Sequence, residues 1–441
     1  MNIAVLFLGM IAFMLVGVPL AFSILAISIV VLMIFTGIPL WQVAQRFFAG
    51  VDSFVLTAIP FFLLAGNIMN EGKITDKLLN LSDAVVGHIR GGLAHVNVLV
   101  SFLFGGVSGS AVADTSGIGA MLIPAMIKKG YSKEFSVSVT CCSSVLGQIV
   151  PPSLIMIIYA STANTSIQAM FMAGLLPGAF LALMMMVISY FYAIRYNYPR
   201  EEKMTWKQRG KVFLNSITTL IMPLIIIGGV VSGLTTATES AVIAVVYALV
   251  ITMFVDKTVD LPKLKKILIT TAKGSAVSLF CIGAANVFGY LMAYFRVNIL
   301  VSQMFASLNL GRTGFIFVTF LLFLVLGCFM DSTPAIYIFV PIIAPLAAQY
   351  GIHPIHIGMI VCLTLAFGLV TPPYGLCLLL SCQIAKINPK AALKDVGIML
   401  AGITLVLILL FMLPDVLLFL PECLQSAYMQ SHPRKDCLPC S

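Results

Sequence analysis

Charge is what this sequence has least of. Of its 441 residues 9% are charged and 60% are hydrophobic, whereas soluble domains carry about 25% charged residues. Together with a mean hydropathy of +1.08, this excludes a water-soluble globule and implies a polytopic membrane protein lying in a lipid bilayer. Acidic residues are scarcer than basic ones, 16 against 25. The basic residues stand in loops between apolar runs rather than in one patch, so they report topology and not nucleic acid. The five histidines, His88, His95, His353, His356 and His432, show no metal-ligand spacing with acids. His353 and His356 fall in an expected external, solvated loop. There is no nucleophile elbow and no phosphate loop, so no catalytic set can be assembled. The segment from Met1 to Val16 lacks the basic n-region and small-residue cleavage site of a signal peptide and is read as a retained span. Cys141, Cys142, Cys281, Cys328, Cys362, Cys377 and Cys382 lie in apolar surroundings, where cysteine acts as a small hydrophobe.

Against this background Ser108 to Pro124, SGSAVADTSGIGAMLIP, collects small polar residues and an aspartate. The pattern returns in the second half: Asp331, Ser332, Thr333 and Pro341 repeat the spacing of Asp114, Thr115, Ser116 and Pro124. A second pair follows in the same order, Gly147-Gln-Ile-Val-Pro151-Pro152 and Gly368-Leu-Val-Thr-Pro372-Pro373. Polar, Gly- and Pro-broken apolar segments at matched positions of two repeats mark the substrate site of a transporter.

Apolar runs predict about ten spans, at residues 3 to 16, 20 to 36, 53 to 70, 134 to 160, 169 to 194, 212 to 232, 237 to 255, 275 to 295, 355 to 384 and 396 to 420. Two further regions, Gly92 to Lys128 and Thr313 to Gln349, are interrupted by the repeated polar stretch. Their arms, read as about 14 to 16 residues or roughly 24 Å, fall short of a ~30 Å hydrocarbon core and predict two re-entrant helical hairpins. Between the third span and the first hairpin, Ile74, Leu78, Leu81, Val85 and Ile89 share one face of a surface helix. Placing the loops at 71 to 91, 128 to 133, 195 to 211, 256 to 273 and 386 to 394 on one side collects 20 of the 25 Lys and Arg there. That side is cytoplasmic, and both termini lie outside. The second half then runs the same list of elements inverted.

A carboxylate at membrane depth is costly and usually functional, which singles out Asp114 and Asp331; the competing reading is that each caps the returning arm of its hairpin. Ser108, Ser110, Thr115, Ser116, Ser332 and Thr333 add hydroxyl oxygens, and Gly109 and Gly327 let the backbone turn and expose carbonyls. Hard cations want such oxygens, although single Ser and Thr residues also bond their own helix. Pro151-Pro152 and Pro372-Pro373 free the carbonyls before them, and the helix restarting after each pair points its positive end at the centre, where an anion is favoured. A plain kink is the alternative for either pair alone. Glu239 at the start of the span at 237 is read as an interfacial acid.

In SGSAVADT, GQIVPPS and GLVTPPYG, taken in this order, the chain resembles the large membrane subunit of tripartite ATP-independent periplasmic (TRAP) transporters over about residues 1 to 420. The resemblance implies an all-α inverted-repeat fold of the elevator type. Residues 1–91 and 212–312 would be scaffold, 92–194 and 313–420 the two halves of the transport domain, 195–211 a cytoplasmic linker and 421–441 a polar tail. It implies one sodium site among Ser108, Ser110, Asp114 and the Ser144 to Gly147 backbone, and another among Gly327, Asp331, Thr333 and Gly368 to Thr371. The substrate carboxylate would lie between the Pro-Pro segments, at Pro151, Pro152, Ser153, Pro372 and Pro373. The expected function is sodium-coupled uptake of small organic acids across a bacterial inner membrane, with no cofactor beyond the coupling ions. A small four-helix membrane subunit and a periplasmic substrate-binding protein are the implied partners. The alternative is a self-sufficient proton- or sodium-coupled anion carrier of related architecture. The tail after about Glu422 departs from the family pattern and is read as unstructured, with a disulfide or weak metal pair at Cys437-Leu-Pro-Cys440 as the alternative.

Overall fold

The computed structural model describes residues 2–72, 74–200, 203–307, 310–372 and 375–431, and every regular element among them is helical. The tail expected to be unstructured after about Glu422 is helical as far as Ser431, as the end of Pro414–Ser431, and the expected cysteine pair at 437 and 440 lies outside the described residues. Among the described residues eight helices are long and apolar enough to cross a bilayer. A ninth span results if Lys133–Ile149 and Leu154–Ala163, bent by 43°, count as one.

Six of the eight coincide with expected spans. The other two, Arg312–Phe329 and Ser332–Gln349, are the arms of the second hairpin. Asn2–Leu15 and Leu20–Phe35 have 14 and 16 residues and reach only about 21 and 24 Å at 1.5 Å per residue. The arms of the first hairpin are Gly92–Ser108 and Ala111–Lys128, so all four arms have 17 or 18 residues, longer than expected. At roughly 26 Å their length does not separate a re-entrant arm from a crossing.

The level of the tips does separate them. A Cβ placed on Gly106 would lie 3.3 Å from Pro223 and 3.3 Å from the Pro151 carbonyl oxygen, and one on Gly109 would lie 3.1 Å from the Pro152 oxygen. Pro223 stands inside Trp206–Val231, about 12 Å short of that helix's far end. A Cβ on Gly178 of Ile167–Arg195 would lie 3.0 Å from the Val150 side chain, about 17 Å inside that helix's start. The first tip therefore stops within the thickness of its neighbours. In the second half Gly327 packs on Gly368, about 22 Å along Pro354–Gly368, and Leu376–Ala385 continues beyond it.

The two halves interlock reciprocally. Leu154–Ala163 packs on the return arm Ser332–Gln349, and Leu376–Ala385 packs on the return arm Ala111–Lys128. Leu261–Tyr294 packs against Leu20–Phe35, Trp41–Val51, Ala58–Glu71 and Ser332–Gln349.

Capping side chains set the helix starts, and several expectations are corrected by them. Asp260 accepts from the Lys263 amide at 3.0 Å, so Leu261–Tyr294 begins inside the stretch expected as a loop at 256 to 273. Asn388 accepts from the Lys390 amide at 3.0 Å and starts Pro389–Met412 ahead of the expected 396 to 420. That helix ends early because Pro414 pushes Leu413 out of helical geometry. Glu239 closes a capping box with Thr236 at 2.7 Å. His353 caps Pro354–Gly368 through the Ile355 amide at 3.2 Å. His356, expected in a solvated loop, is instead fully buried within that helix, with Nε2 3.1 Å from the Phe411 carbonyl oxygen. The surface helix is Ile74–Val86, with Ile74, Leu78 and Leu81 buried; Val85 is exposed and Ile89 lies past its end. Two short helices, Trp41–Val51 and Val297–Ser307, were not expected.

Candidate ion and substrate site

The first tip is built from the sequence Ser108-Gly109-Ser110. Gly109 adopts φ +62, a left-handed conformation that glycine takes without steric cost. The Ser110 amide donates to the Ser108 hydroxyl at 3.3 Å. Ser110 is the N-cap of the return arm, accepting from the Ala113 amide at 3.4 Å. The capping role considered for Asp114 thus belongs to Ser110, and Asp114 sits one turn into the helix. Its side chain is fully buried, and among the described residues neither carboxylate oxygen has a hydrogen-bond partner. The Ser108 hydroxyl lies beside it, against the same glycine, Gly147.

The carboxylate faces the broken span. A Cβ on Gly147 would collide with Asp114 Oδ2 and stand 3.4 Å from Ser108 Oγ, so only glycine lets the backbone come this close. A Cβ on Gly105 would lie 2.9 Å from Gly147 Cα and from the Leu146 oxygen, so the arm and the broken span touch backbone to backbone. Ser144 is buried and gives its hydroxyl proton to the Thr140 carbonyl at 2.6 Å; its oxygen keeps lone pairs for another ligand. Gln148 contributes a buried amide oxygen, Oε1, that also lacks a partner. An unpaired buried carboxylate is costly, and it shares the space against Gly147 with the Ser108 hydroxyl, an oxygen of the type that hard cations want.

The second tip is arranged differently. Met330 and Asp331 form the break, and Asp331 holds the N-cap position of Ser332–Gln349 without closing a side-chain cap. The Ser332 and Thr333 amides and the Thr333 hydroxyl are the polar groups nearest its carboxylate. Asp331 is exposed. Ser332 and Thr333 are buried, and the Ser332 hydroxyl has no partner. Gly327 and Gly368 meet one another: a Cβ on Gly327 would lie 3.0 Å from Gly368 Cα. Thr371 donates to the Phe367 carbonyl at 2.9 Å.

Between the tips, the expected substrate residues fall into two groups. Pro151, Pro152 and Ser153 are buried. Ser153 caps Leu154–Ala163 through the Met156 amide at 3.4 Å and donates to the Gln148 carbonyl. Pro372 is exposed, and Pro373 lies outside the described residues. Gly375, at φ +45, opens Leu376–Ala385. Cys377, fully buried on that helix, has Thr115 as a polar neighbour and lies within electrostatic reach of both Asp114 and Asp331. The restart of the second broken span thus packs on the return arm of the first hairpin. Sequence reasoning did not single out Gln148 or Cys377. Gln148 lies inside the repeated Gly-Pro motif, which was the available signal.

The sequence profile of the tripartite ATP-independent periplasmic transporter family, DctM component, matches residues 7–416. The chain is 34% identical to the sialic acid TRAP transporter large permease protein SiaM of Vibrio cholerae, over 94% of this chain and 97% of that protein. It is 32% identical to the C4-dicarboxylate TRAP transporter large permease protein DctM of Rhodobacter capsulatus, over 96% and 100%. Its fold is similar to the crystal structure of the YdaH transporter of Alcanivorax borkumensis, with a TM-score of 0.62 at 12% identity over 84% of this chain and 86% of that one. With a family profile that spans nearly all of the helices described above, the chain belongs to the TRAP transporters as a large permease protein.

Proposed function

We propose that this chain is the large permease subunit of a sodium-coupled, binding-protein-dependent importer of small organic acids of the C4-dicarboxylate, sialic acid or sugar-acid type. The observation that carries the coupling is Asp114, a fully buried carboxylate with no hydrogen-bond partner, pressed against the Gly147 backbone. Sodium would be held at the first tip by Ser108, Ser110, Asp114 and the Ser144 to Gly147 backbone, with Gln148 added from the geometry. At the second it would be held by Asp331, Thr333 and backbone from Gly327, Gly368 and Thr371. The substrate carboxylate would meet the restarting helices after Pro152 and Pro373, at Pro151, Ser153 and Pro372.

Coupling answers an energetic need. Moving a dianion inward against 100 mV costs about 4.6 kcal/mol, and two co-transported sodium ions cancel that term. The hairpins and broken spans would move as one body against the scaffold, in an elevator motion across a bacterial inner membrane with both termini in the periplasm. A small four-helix subunit would brace the scaffold, and a periplasmic binding protein would deliver the acid.

The test is uptake of labelled succinate, sialic acid and 2,3-diketogulonate into proteoliposomes holding this chain and a candidate small subunit. Sodium or potassium is supplied outside, with and without binding protein. Uptake that needs both sodium and the binding protein supports the proposal. Uptake by this chain alone replaces it with the self-sufficient carrier.

A further inference from the structure

A cavity of about 450 Å³ lies away from both tips, between the short helix Trp41–Val51, the end of Leu261–Tyr294, the end of Leu154–Ala163 and the return arm Ser332–Gln349. In the topology argued above all four meet on the outer side. Its lining includes Arg46, Ser161, Thr162, Asn286, Tyr290 and Tyr337. Arg46 is one of only five Lys and Arg assigned to the outside.

Arg46 is held in place by its surroundings. Its guanidinium stacks over the Tyr290 ring at 4.3 Å, and the Tyr290 hydroxyl donates to Gln42 Oε1 at 3.0 Å. Gln42 and Arg46 are one turn apart on a single helix face, so Tyr290 pins both. Stacking uses the face of the guanidinium and leaves its edge N–H groups free to bind a carboxylate. Among the described residues Arg46 forms no ion pair. Across the cavity, Tyr337 is 9% exposed, and among the described residues its hydroxyl has no hydrogen-bond partner within normal length. A buried phenol without a partner costs stability, and Ser161 and Thr162 are the polar groups beside it. Tyr337 stands on the same return arm as Asp331, about 9 Å along the helix from it.

We propose that this cavity is an entry site for the substrate, in which Arg46 takes one carboxylate of an organic acid and Tyr337 and Asn286 take its remaining carboxylate, hydroxyl or carbonyl oxygens before the acid reaches the Pro-Pro segments. The choice of an organic acid rests on the importer reading above; the anion preference of the cavity does not. One cation in a low-dielectric cleft attracts anions. The paired edge donors of arginine add geometric selectivity for a planar carboxylate. Because one wall of the cavity is scaffold and another is hairpin, motion of the hairpin would carry Tyr337 away from Arg46 and release the acid inward.

The test uses the full membrane complex with Cys423, Cys437 and Cys440 replaced by Ser and a single Ser161→Cys. The modification rates by a sulfonate and a trimethylammonium methanethiosulfonate are compared, each relative to a free thiol in solution. The expected result is an anionic preference that falls roughly tenfold in Arg46→Gln and persists in Arg46→Lys. Succinate or sialic acid, whichever the complex transports, should protect Ser161→Cys, and Tyr337→Phe should weaken that protection while leaving the charge preference intact. An unchanged preference in Arg46→Gln overturns the proposal, and a preference without protection by a transported acid overturns the ligand assignment. Failure of the importer reading shows separately, as absence of sodium-driven uptake in the unsubstituted complex.

Discussion

Asp114 and Asp331 occupy matched positions of an inverted repeat, yet the first is sealed inside the protein with no hydrogen-bond partner and the second is exposed. The difference traces to where each return helix begins. In the first hairpin Ser110 captures the Ala113 amide, so the helix starts at Ala111 and Asp114 lies within it, facing Gly147. In the second the arm runs on to Phe329, the helix restarts at Ser332, and Asp331 is itself the N-cap residue. Relative to the repeated motif, the second helix starts about one turn late. A displacement of that size turns one carboxylate toward a backbone of the neighbouring span and leaves the other exposed. Two copies of one motif thus become one closed and one open half-site.

The largest expected effect of breaking this comparison is on sodium dependence. Asp114→Asn removes the charge from an enclosed oxygen cage and should raise the sodium half-saturation of uptake roughly 100-fold. Asp331→Asn, at a site that solvent can reach, should raise it roughly tenfold, since water compensates a lost ligand there. Sodium titration of initial uptake rates decides it, and equal shifts in the two variants would mean that enclosure does not matter to the ion.

Stability gives the second contrast. A buried carboxylate left without partners is destabilising, so in sodium-free buffer Asp114→Asn should stabilise the detergent-solubilised protein by about 1–3 kcal/mol. The same change at exposed Asp331 should stay within about 0.5 kcal/mol. Adding sodium should raise the melting temperature of the unsubstituted chain through linkage and lose that effect in Asp114→Asn. A drop in sodium-free stability on Asp114→Asn would show that the carboxylate has a partner after all.

The positions of both aspartates, the hairpins and the broken spans were legible in the sequence because small polar residues, glycines and proline pairs stand out against an apolar background. What stayed illegible was the register. Ser110 and Asp331 compete with their neighbours for the free amides at a helix start, and spacing alone does not say which wins. The same limit explains Leu261–Tyr294 and Pro389–Met412, whose starts are set by Asp260 and Asn388 inside charged stretches that look like loops. His356 is a different case: it lies within a helix that His353 caps, and its ring nitrogen meets the Phe411 carbonyl oxygen, a partner far away in sequence. Arg46 went unread as a site residue because Trp41–Val51 is short, and its stacking on Tyr290 joins parts of the chain far apart in sequence.

Accessibility sharpens the contrast further. With a small thiol reagent admitted to both faces, Asp331→Cys should react at least about tenfold faster than Ser108→Cys, since Asp331 is exposed and Ser108 is only 6% so. Comparable rates would mean that the first tip opens as readily as the second, and the distinction between a closed and an open half-site would fall.

The smallest effect tests the cause itself. If Ser110 sets the start of the first return helix, Ser110→Ala removes the acceptor for the Ala113 amide and should cost about 1 kcal/mol. At the second tip Asp331 closes no side-chain cap, so Asp331→Ala should cost only a few tenths of a kcal/mol. Melting temperatures in sodium-free detergent solution read both without involving the ion. The decisive comparison is Ser110→Ala against Ser110→Asp: a carboxylate also caps a helix and should restore most of the loss. Its added charge beside Asp114 should at the same time strengthen cation binding. Restored stability together with a lower sodium half-saturation would establish that capping and ion binding share the first tip. If neither variant moves the melting temperature, the one-turn offset must be set elsewhere, and the Gly105 to Gly147 crossing, where two backbones already touch, becomes the element that holds Asp114 in place.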